Sequence, residues 1–409
     1  MLRYNKKRSL GEKRKMKKVI SLSLTFLFIS TIFSQVSDLT LVKTINLGLD
    51  SLNYIQLYDN SILYTDKDYL ILYDLKTQKE KKIRVKSEKS NNFDALITEF
   101  KVLPSKEIAV INNEPFLMIW NPTKETTSKF KYNIESNTKT TNQFWSSKIE
   151  TIEELKISPL GSILVEKKHY QTQTLGGLLT LEEWYEYNFL SFPSLEKIFS
   201  LNTKEDFSDF NIDFSKRDSF VLLINALPRS KSLADLYGIV IKNFENQKSY
   251  NLFPNQRTIS WDITKDDKLL AVSLESNLTK VINLNNFSEV LNFPITGNVS
   301  FSPKEDILIV EGNRTINLID LTKKETISTY WGSHPCLSNN ENILAYSLGE
   351  NFLAPTKELS ILYRDKNLQK KIKFDAEYFL EDISFTKDDT FLILLLSGNN
   401  GYKIMIYKV

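Results

Sequence analysis

The stretch VSFSPKEDILIV, residues 299–310, decides the fold. It begins as a short alternating segment, passes through a polar turn and ends in four consecutive apolar residues. This order is typical of two antiparallel strands joined by a tight turn. The pattern recurs as ISWDITKDDKLLAVS (259–273), ISFTKDDTFLIL (383–394) and LKISPLGSILV (155–165). We therefore predict a structural repeat and not a set of unrelated strands.

A second pattern follows the first and also reads as strand, short turn, strand. It occurs as LILYDLKTQK (70–79), LMIWNPTKE (117–125) and INLIDLTKKE (316–325), and no long segment has the helical period. The two patterns together predict a unit of four strands. Units begin at intervals of about 36 to 56 residues, near Tyr54, Thr98, Ile152, Phe207, Thr258, Val299, Pro335 and Ile383.

These residues resemble the WD-repeat type of β-propeller over roughly residues 40–409. The chain departs from the strict pattern, because the Gly-His pair is missing and Tyr73-Asp74, Trp120-Asn121 and Ile319-Asp320 replace Trp-Asp. We therefore expect a divergent propeller of bacterial type. The resemblance implies one all-β domain, a ring of four-stranded blades, and our count is eight. Seven is the alternative, since the unit around Cys336 is the weakest.

The last unit has three obvious strands. The segment LVKTINL (41–47) reads as the missing fourth strand. We predict that residues 39–47 pair with the terminal strand around Lys403–Lys408. This pairing closes the ring and removes its open edges.

The N-terminus has the composition of a secretory signal peptide. Nine Lys and Arg residues lie within residues 1–18, and residues 19–35 carry no charge. The apolar run Val19–Phe33 is short for a membrane span and suits a signal peptide. We predict that residues 1–35 are removed, by a cut before or after Gln35, and that residues 36–409 form the propeller. Met16 is an alternative start, and an uncleaved anchor is an alternative to cleavage.

The charge of the chain argues against nucleic acid as a partner. The 409 residues carry a net charge of +3, but residues 1–35 hold nine of the 53 basic and one of the 50 acidic residues. The mature chain is therefore at about −5, with both signs interspersed, and lacks the basic patch that nucleic acids need. We expect a periplasmic or extracellular monomer without a stable membrane span.

Local motifs of catalysis and metal binding are missing. Cys336 is the single cysteine and His169 and His334 are the only histidines, which disfavours zinc sites and excludes an internal disulfide. We interpret Cys336 as a small buried residue. Hydrolase, metalloprotease and phosphate-loop motifs do not occur. Turn acids such as Asp266-Asp267 and Asp388-Asp389 are expected to be solvated. We predict no catalytic residue, metal or cofactor.

Long connections fall on one face of the predicted ring. The turns inside each hairpin are short, whereas 85–96, 132–149, 171–183, 225–236 and 348–358 are long and lie at the opposite ends of the strands. Long loops of compact domains commonly carry function. Aromatic and Arg side chains within these segments, or directly flanking segment 171–183, are candidate binding anchors: Trp145, Tyr170, Trp184, Arg229 and Phe352. Neutral drift of the loops and packing of these side chains within their own loops are the alternatives.

The leading hypothesis is a non-enzymatic, exported module that binds a protein or glycan on this face. The alternative is a propeller enzyme, a polysaccharide lyase or a hydrolase, with its site at the channel mouth. Carboxylates with shifted pKa values converging there favour the enzyme.

Overall fold

A computed structural model describes residues 39–48, 55–85, 97–112, 116–130, 138–143, 146–174, 180–229, 237–348, 358–375 and 377–409. Within these ranges all regular structure is β-strand, in eight separate sheets. The described residues contain no helix with the length and hydropathy of a membrane span. Residues 1–38, which include the predicted signal peptide, lie outside the described residues.

The sheets are the blades of a β-propeller, and we number the strands in chain order. The first strand, β1 (Thr40–Leu47), belongs to the last blade. Blade 1 contains β2 (Gln56–Tyr58), β3 (Ser61–Asp66), β4 (Tyr69–Asp74) and β5 (Glu80–Arg84). Blade 2 contains β6 (Ile97–Val102), β7 (Ile108–Asn112), β8 (Phe116–Asn121) and β9 (Thr126–Phe130). Blade 3 has five strands, β10 (Thr138–Gln143), β11 (Ser146–Ile157), β12 (Ile163–Thr174), β13 (Thr180–Ser191) and β14 (Lys197–Asn202). Blade 4 contains β15 (Phe207–Phe214), β16 (Phe220–Pro228), β17 (Tyr237–Asn243) and β18 (Ser249–Pro254).

The second half of the ring is more regular. Blade 5 contains β19 (Thr258–Ile263), β20 (Leu269–Leu274), β21 (Leu278–Asn283) and β22 (Ser288–Phe293). Blade 6 contains β23 (Asn298–Phe301), β24 (Ile307–Glu311), β25 (Thr315–Asp320) and β26 (Glu325–Trp331). Blade 7 contains β27 (Ser333–Leu337), β28 (Ile343–Leu348), β29 (Glu358–Tyr363) and β30 (Leu368–Lys373). Blade 8 contains β31 (Tyr378–Phe385), β32 (Phe391–Gly398) and β33 (Gly401–Lys408), with β1 as its fourth strand.

The blade count of eight is confirmed, and the unit around Cys336 is a complete four-stranded blade. The inner strands begin within a few residues of most predicted unit starts, and Tyr54 lies outside the described residues. Blade 3 begins earlier than predicted, because β11 starts at Ser146 and not near Ile152. The pattern of apolar residues therefore located the blades correctly. It did not detect the polar first half of β11.

The N-terminal strand closes the ring as predicted. β1 pairs antiparallel with β33, from Thr40 opposite Lys408 to Leu47 opposite Tyr402. Leu47 is buried, and it packs with residues of blades 8 and 1 such as Ile404 and Ile62. The first strand of the described chain thus completes the last blade and covers its interface with the first. The edge of β33 is therefore covered by β1, and blade 8 has four strands like most of the other blades.

The hydrophobic core is divided among the interfaces between blades. Each of eight clusters of buried side chains draws on two neighbouring blades. Each four-residue apolar run, such as Ile307–Val310 in β24, sends alternate side chains to the blade before and the blade after. These strands therefore need continuous apolar runs without polar alternation, because both of their faces are buried between neighbouring blades.

A row of acidic side chains joins blades 3 to 8 at the turns between their first two strands. We call these residues the carboxylate belt: Asp218, Asp267, Glu305, Glu341 and Asp389. Each has a positive φ, and each accepts a backbone N–H from the turn of the preceding blade. The N–H of Arg217 lies 3.1 Å from Asp267 Oδ1, for example.

The expectation of solvated turn acids was therefore wrong for the second residue of each pair. Asp267 is buried, and Asp389 accepts from the N–H groups of Asn339 and Asn340. Asp388 remains exposed as expected. The left-handed backbone at these positions aims the side chain at the neighbouring blade, which a reading of local charge cannot detect.

Candidate functional site

Blade 3 is the irregular member of the ring. Its strands β11, β12 and β13 are each 12 residues long, whereas the other strands have three to nine residues. The additional residues lie at the ends away from the hairpin turn that joins β11 to β12. At about 3.3 Å per residue, six additional residues lengthen the blade by roughly 20 Å. We call residues 138–143, 146–151, 168–174 and 180–186 the third-blade extension.

The third-blade extension replaces two of the predicted loops. The segments 132–149 and 171–183 were expected to be connections, but β10 and the ends of β11, β12 and β13 occupy much of them. Their sequences are rich in Thr and Gln, as in Gln171–Thr174. Thr favours strands, and a sheet that is partly exposed on both sides does not need the apolar alternation that marks a half-buried strand. The prediction of loops was wrong for that reason.

Two of the predicted anchors form one structural unit on this extension. Tyr170 of β12 and Trp184 of β13 are cross-strand partners, and their rings stack with centroids 5.2 Å apart and planes within 9°. The Tyr170 hydroxyl donates to Glu186 Oε2 at 2.9 Å. Burial, followed by this hydrogen bond, raises the pKa of Tyr170. The two rings therefore present a preorganised aromatic surface.

Two lysines flank the aromatic pair. The ammonium group of Lys148 lies 4.9 Å from the centre of the Tyr170 ring and 5.5 Å from that of Trp184. Lys204 lies 4.5 Å from the Trp184 ring and 2.6 Å from Glu182 Oε2. Cations over aromatic faces are attracted by the ring quadrupole. We call Tyr170, Trp184, Lys148 and Lys204 the aromatic platform.

Sequence reasoning found the two rings of the platform and missed its lysines. Lys148 and Lys204 are 56 residues apart, and they meet only because β11 and the turn after β14 lie on either side of β12 and β13. The unusual length of the third unit was a usable signal, since it exceeds that of the regular blades 5 and 6.

Arg229 lies on the same end of the ring, next to blade 3. It directly follows β16 and is exposed, and its Nη1 donates to the Thr203 carbonyl at 3.4 Å. Its own N–H donates to the Asp206 carbonyl at 3.3 Å. Trp145 and Phe352 lie outside the described residues. The role of these five residues as a binding surface stays a prediction.

Exposed apolar side chains concentrate on this face. Six large apolar residues of the described chain are exposed, and four of them lie at strand ends on the face that carries the extension: Leu181, Ile259, Trp331 and Phe379. Leu41 and Leu160 lie toward the short-turn face. The four residues belong to four different blades, so each adds apolar area separately to this face.

The other side of the extension carries a histidine between two carboxylates. His169 stacks on Tyr185 with ring centres 4.9 Å apart. Its Nδ1 lies 3.2 Å from Glu153 Oε1 and its Nε2 lies 2.7 Å from Glu183 Oε1. Nε2 is buried, yet the Glu183 contact lacks hydrogen-bond alignment. A close contact without hydrogen-bond alignment is a weak interaction. We therefore interpret His169 and its two carboxylates as polar side chains on this face of the extension.

Titratable groups with shifted pKa values line the inner strands. Burial raises the pKa of Glu99 in β6 to about 7, although Lys156 and Lys101 act in the opposite direction. Burial also lowers the pKa of Lys101 and raises that of Asp382 in β31. Glu99 therefore exchanges a proton near neutral pH.

Cys336 packs against the cluster between blades 7 and 8, and burial raises the pKa of its thiol to about 12. A thiol that stays protonated is a poor nucleophile, which agrees with a packing role. Within the described ranges, no group of three or more His, Cys, Asp or Glu side chains is arranged to hold a metal ion.

Comparison with solved structures identifies the fold, whereas comparison of the sequence with family models and curated proteins gives no match. No protein-family model matches the chain, and no curated protein matches its sequence. The structure titled as the Dos1 propeller is similar at a TM-score of 0.54, with 10% identity over 90% of this chain and 95% of the other. The β-propeller domain of Cps50 (Swd1) from Myceliophteria thermophila has a TM-score of 0.47, with 10% identity over 91% of this chain and all of the other.

The similarity to the Dos1 propeller agrees with the observed sheets. The chain is an eight-bladed β-propeller, and the Dos1 structure to which it is similar is also a propeller. In all, 1422 chains of solved structures match this fold. The similarity therefore identifies an architecture, and one architecture can carry many functions. The bacterial type and the export of the protein stay predictions.

Proposed function

We propose that this protein is an exported, non-enzymatic interaction module that binds a protein partner through the aromatic platform of blade 3. The observation that carries this proposal is the stacked Tyr170–Trp184 pair on a blade lengthened by roughly 20 Å. Trp and Tyr are the residue types that most often dominate binding energy at protein interfaces. Their stacking limits the side-chain freedom that is lost on binding.

The surroundings of the platform favour a protein over a nucleic acid. Glu150, Glu182 and Glu186 lie on the same side of the sheet as the two rings, opposite or beside the lysines. Phosphate groups would be repelled by these carboxylates, whereas a protein surface offers both charges. The exposed apolar residues on the same face extend the contact area that a partner can bury.

The binding experiment compares three immobilised proteins. Partners captured from the native cell envelope by the wild type are purified, and their dissociation constants are measured for the wild type, Trp184→Ala and Leu160→Ala. We expect Trp184→Ala to weaken binding about tenfold or more, equivalent to 1–2 kcal/mol. Leu160→Ala removes an exposed apolar residue from the opposite face and should bind as the wild type. Equal binding by all three, or loss only in Leu160→Ala, would overturn the proposal.

Trp184→Ala should also leave the melting temperature nearly unchanged, because Trp184 is only partly buried and lies outside the interblade clusters. A large drop in melting temperature would contradict the view that the extension is separate from the core. In that case Tyr170→Phe, which keeps the ring, separates loss of binding from loss of fold.

Export is the second part of the proposal and rests on the charge-free segment 19–35 behind a basic start. We expect the mature protein to begin near Gln35 and to be periplasmic or extracellular. N-terminal sequencing of native material checks this. An intact Met1 or Met16 would refute it.

The propeller enzyme remains a second candidate because of one observation. Glu99 has a pKa near neutrality and lies beside Lys101 on an inner strand, which suits a general acid or base. Polysaccharide turnover that is present in the wild type and lost in Glu99→Gln would favour this candidate over the binding module.

A further inference from the structure

A cavity of about 460 Å³ lies between blades 3 and 4, on the side of blade 3 opposite the aromatic platform. Its lining includes Tyr185 and Tyr187, which neighbour Trp184 and Glu186 along β13 and therefore point to the other face of the sheet. The volume falls within the range of small-molecule sites, roughly 300–1,000 Å³. The cavity is a separate feature from the platform, because a different set of side chains forms it.

Aromatic rings form part of the cavity wall. The Tyr187 ring of blade 3 packs against Phe210 of blade 4 with centres 4.8 Å apart. Tyr185 is held from two sides, by stacking on His169 and by Lys167 at 4.5 Å from its ring centre. These contacts fix the rings before any ligand enters.

The cationic groups of the lining are already satisfied by the protein. Lys156 donates to the Ile212 carbonyl at 3.0 Å, across the interface between the two blades. Lys167 lies 3.3 Å from Glu153 Oε2. Lys167 is thus paired with a carboxylate, and the charge of Lys156 is offset by the Glu154 carboxylate of the same lining.

Two polar side chains of the lining have spare hydrogen-bonding capacity. Within the described part of the chain, Asn211 and Glu154 make no side-chain hydrogen bond or ion pair. An amide both donates and accepts, and a carboxylate accepts. The hydroxyl group of Tyr185 adds a further donor and acceptor.

We propose that this cavity binds a neutral saccharide unit. Sugar hydroxyls donate and accept at once, which matches the mixture of amide, carboxylate and phenol. The apolar C–H faces of a sugar pack on aromatic rings such as Tyr187. Lys156 and Glu154 carry opposite charges within the lining, and Lys167 is paired with Glu153. The site therefore has no net charge, which favours a neutral ligand over a charged one. The inference goes beyond the proposed protein partner and does not depend on it.

The test is calorimetric titration of the wild-type protein with glucose, N-acetylglucosamine, maltose and chitobiose, and with lysine and glutamate as small ligands of net positive and net negative charge. We expect at least one saccharide to bind with a Kd of about 1 mM or tighter. Asn211→Leu and Glu154→Gln should each weaken that binding about tenfold. Asn298→Leu is the matched control, because Asn298 holds the same position in the inner strand of blade 6 and should bind as the wild type.

The proposal is overturned if none of the saccharides binds, if only the charged ligands bind, or if Asn211→Leu and Asn298→Leu bind equally. Circular dichroism and the melting temperature establish that each variant is folded. Trp184→Ala should retain saccharide binding, so failure of this site and failure of the protein-binding platform can be told apart.

Discussion

Blades 3 and 6 share one half of their structure and differ in the other. In both, a serine closes the turn between the inner two strands: Ser158 Oγ accepts the Ile163 N–H at 3.0 Å, and Ser302 Oγ accepts the Ile307 N–H at 3.1 Å. Beyond this shared half, the sheet of blade 6 ends after strands of four to seven residues, whereas three strands of blade 3 continue to 12. The ring therefore tolerates a large addition at the end of a blade.

The two halves of blade 3 are stabilised differently. The shared half contributes Leu164 and Phe189, both fully buried, to the interblade clusters. The extension is held by its strand ladder and by ion pairs such as the partly buried Lys168–Glu150 pair at 2.9 Å. Within the described residues, the side chains of the extension lie outside the interblade clusters of buried residues. The comparison teaches that the core half is constrained by stability, while the extension is free to carry function.

The strongest test of this comparison removes one edge strand from each kind of structure. Deletion of β1 (Thr40–Leu47) opens the ring and uncovers the cluster between blades 8 and 1. We expect it to lower the free energy of unfolding by several kcal/mol and to cause aggregation. Denaturant unfolding with light scattering measures both effects.

Deletion of β10 is the matched control, because β10 pairs only with the extended part of β11 in the described structure. It should have a much smaller effect on stability. Equal losses from the two deletions would show that the extension is part of the cooperative core, which would break the comparison.

Core substitutions at equivalent positions should cost the same in both blades. Leu164 in blade 3 and Leu308 in blade 6 are both fully buried and lie opposite the last residue of the inner strand, Ile157 or Phe301. We expect each Leu→Ala change to lower the free energy of unfolding by about 2–5 kcal/mol. Chemical denaturation should give values within about 1 kcal/mol of each other. A much smaller cost at Leu164 would indicate that the extension loosens the blade beneath it.

The pH dependence of stability should differ between two equivalent positions of the inner strands, Glu99 in blade 2 and Asn298 in blade 6. The folded-state pKa of Glu99 is raised from 4.5 to about 7, so the folded protein binds more protons than the unfolded chain between these values. This group therefore makes the protein less stable as the pH rises from about 4.5 to 7, by at most about 3 kcal/mol. Asn298, at the corresponding position of blade 6, does not titrate.

Unfolding measured between pH 4.5 and 7.5 checks this prediction. Glu99→Gln should remove the decrease in the free energy of unfolding with rising pH that Glu99 causes. Asn298→Leu should leave this decrease unchanged. An identical pH profile for the wild type and Glu99→Gln would contradict the expected contribution.

Most of the architecture could be predicted because it depends on local patterns. Apolar runs such as Ile307–Val310, separated by short polar turns, mark strands that are buried on both faces. The missing fourth strand of the last unit likewise identified β1 as the closing strand. Both inferences use only the order of residues along the chain and the need to cover strand edges.

The parts that escaped prediction involve residues that are distant in sequence. Lys148 and Lys204 reach the Trp184 ring from two different segments, and Asp267 looked like a solvated turn acid until its bonds to blade 4 were visible. The extension was predicted as loops because its strands are partly exposed on both sides and lack an apolar alternation. None of these features leaves a local signal.

The sequence by itself determined the ring, the number of blades and the strand that closes it, because hydrophobic periodicity and edge pairing are properties of the chain order. Only the tertiary structure decided which polar side chains meet. It brought Tyr170 and Trp184 into one stacked pair, and placed Asn211 and Tyr187 around one cavity. The physical reason is that polar contacts depend on strand register and on the packing of neighbouring blades, which position residues from separate repeats within a few ångströms.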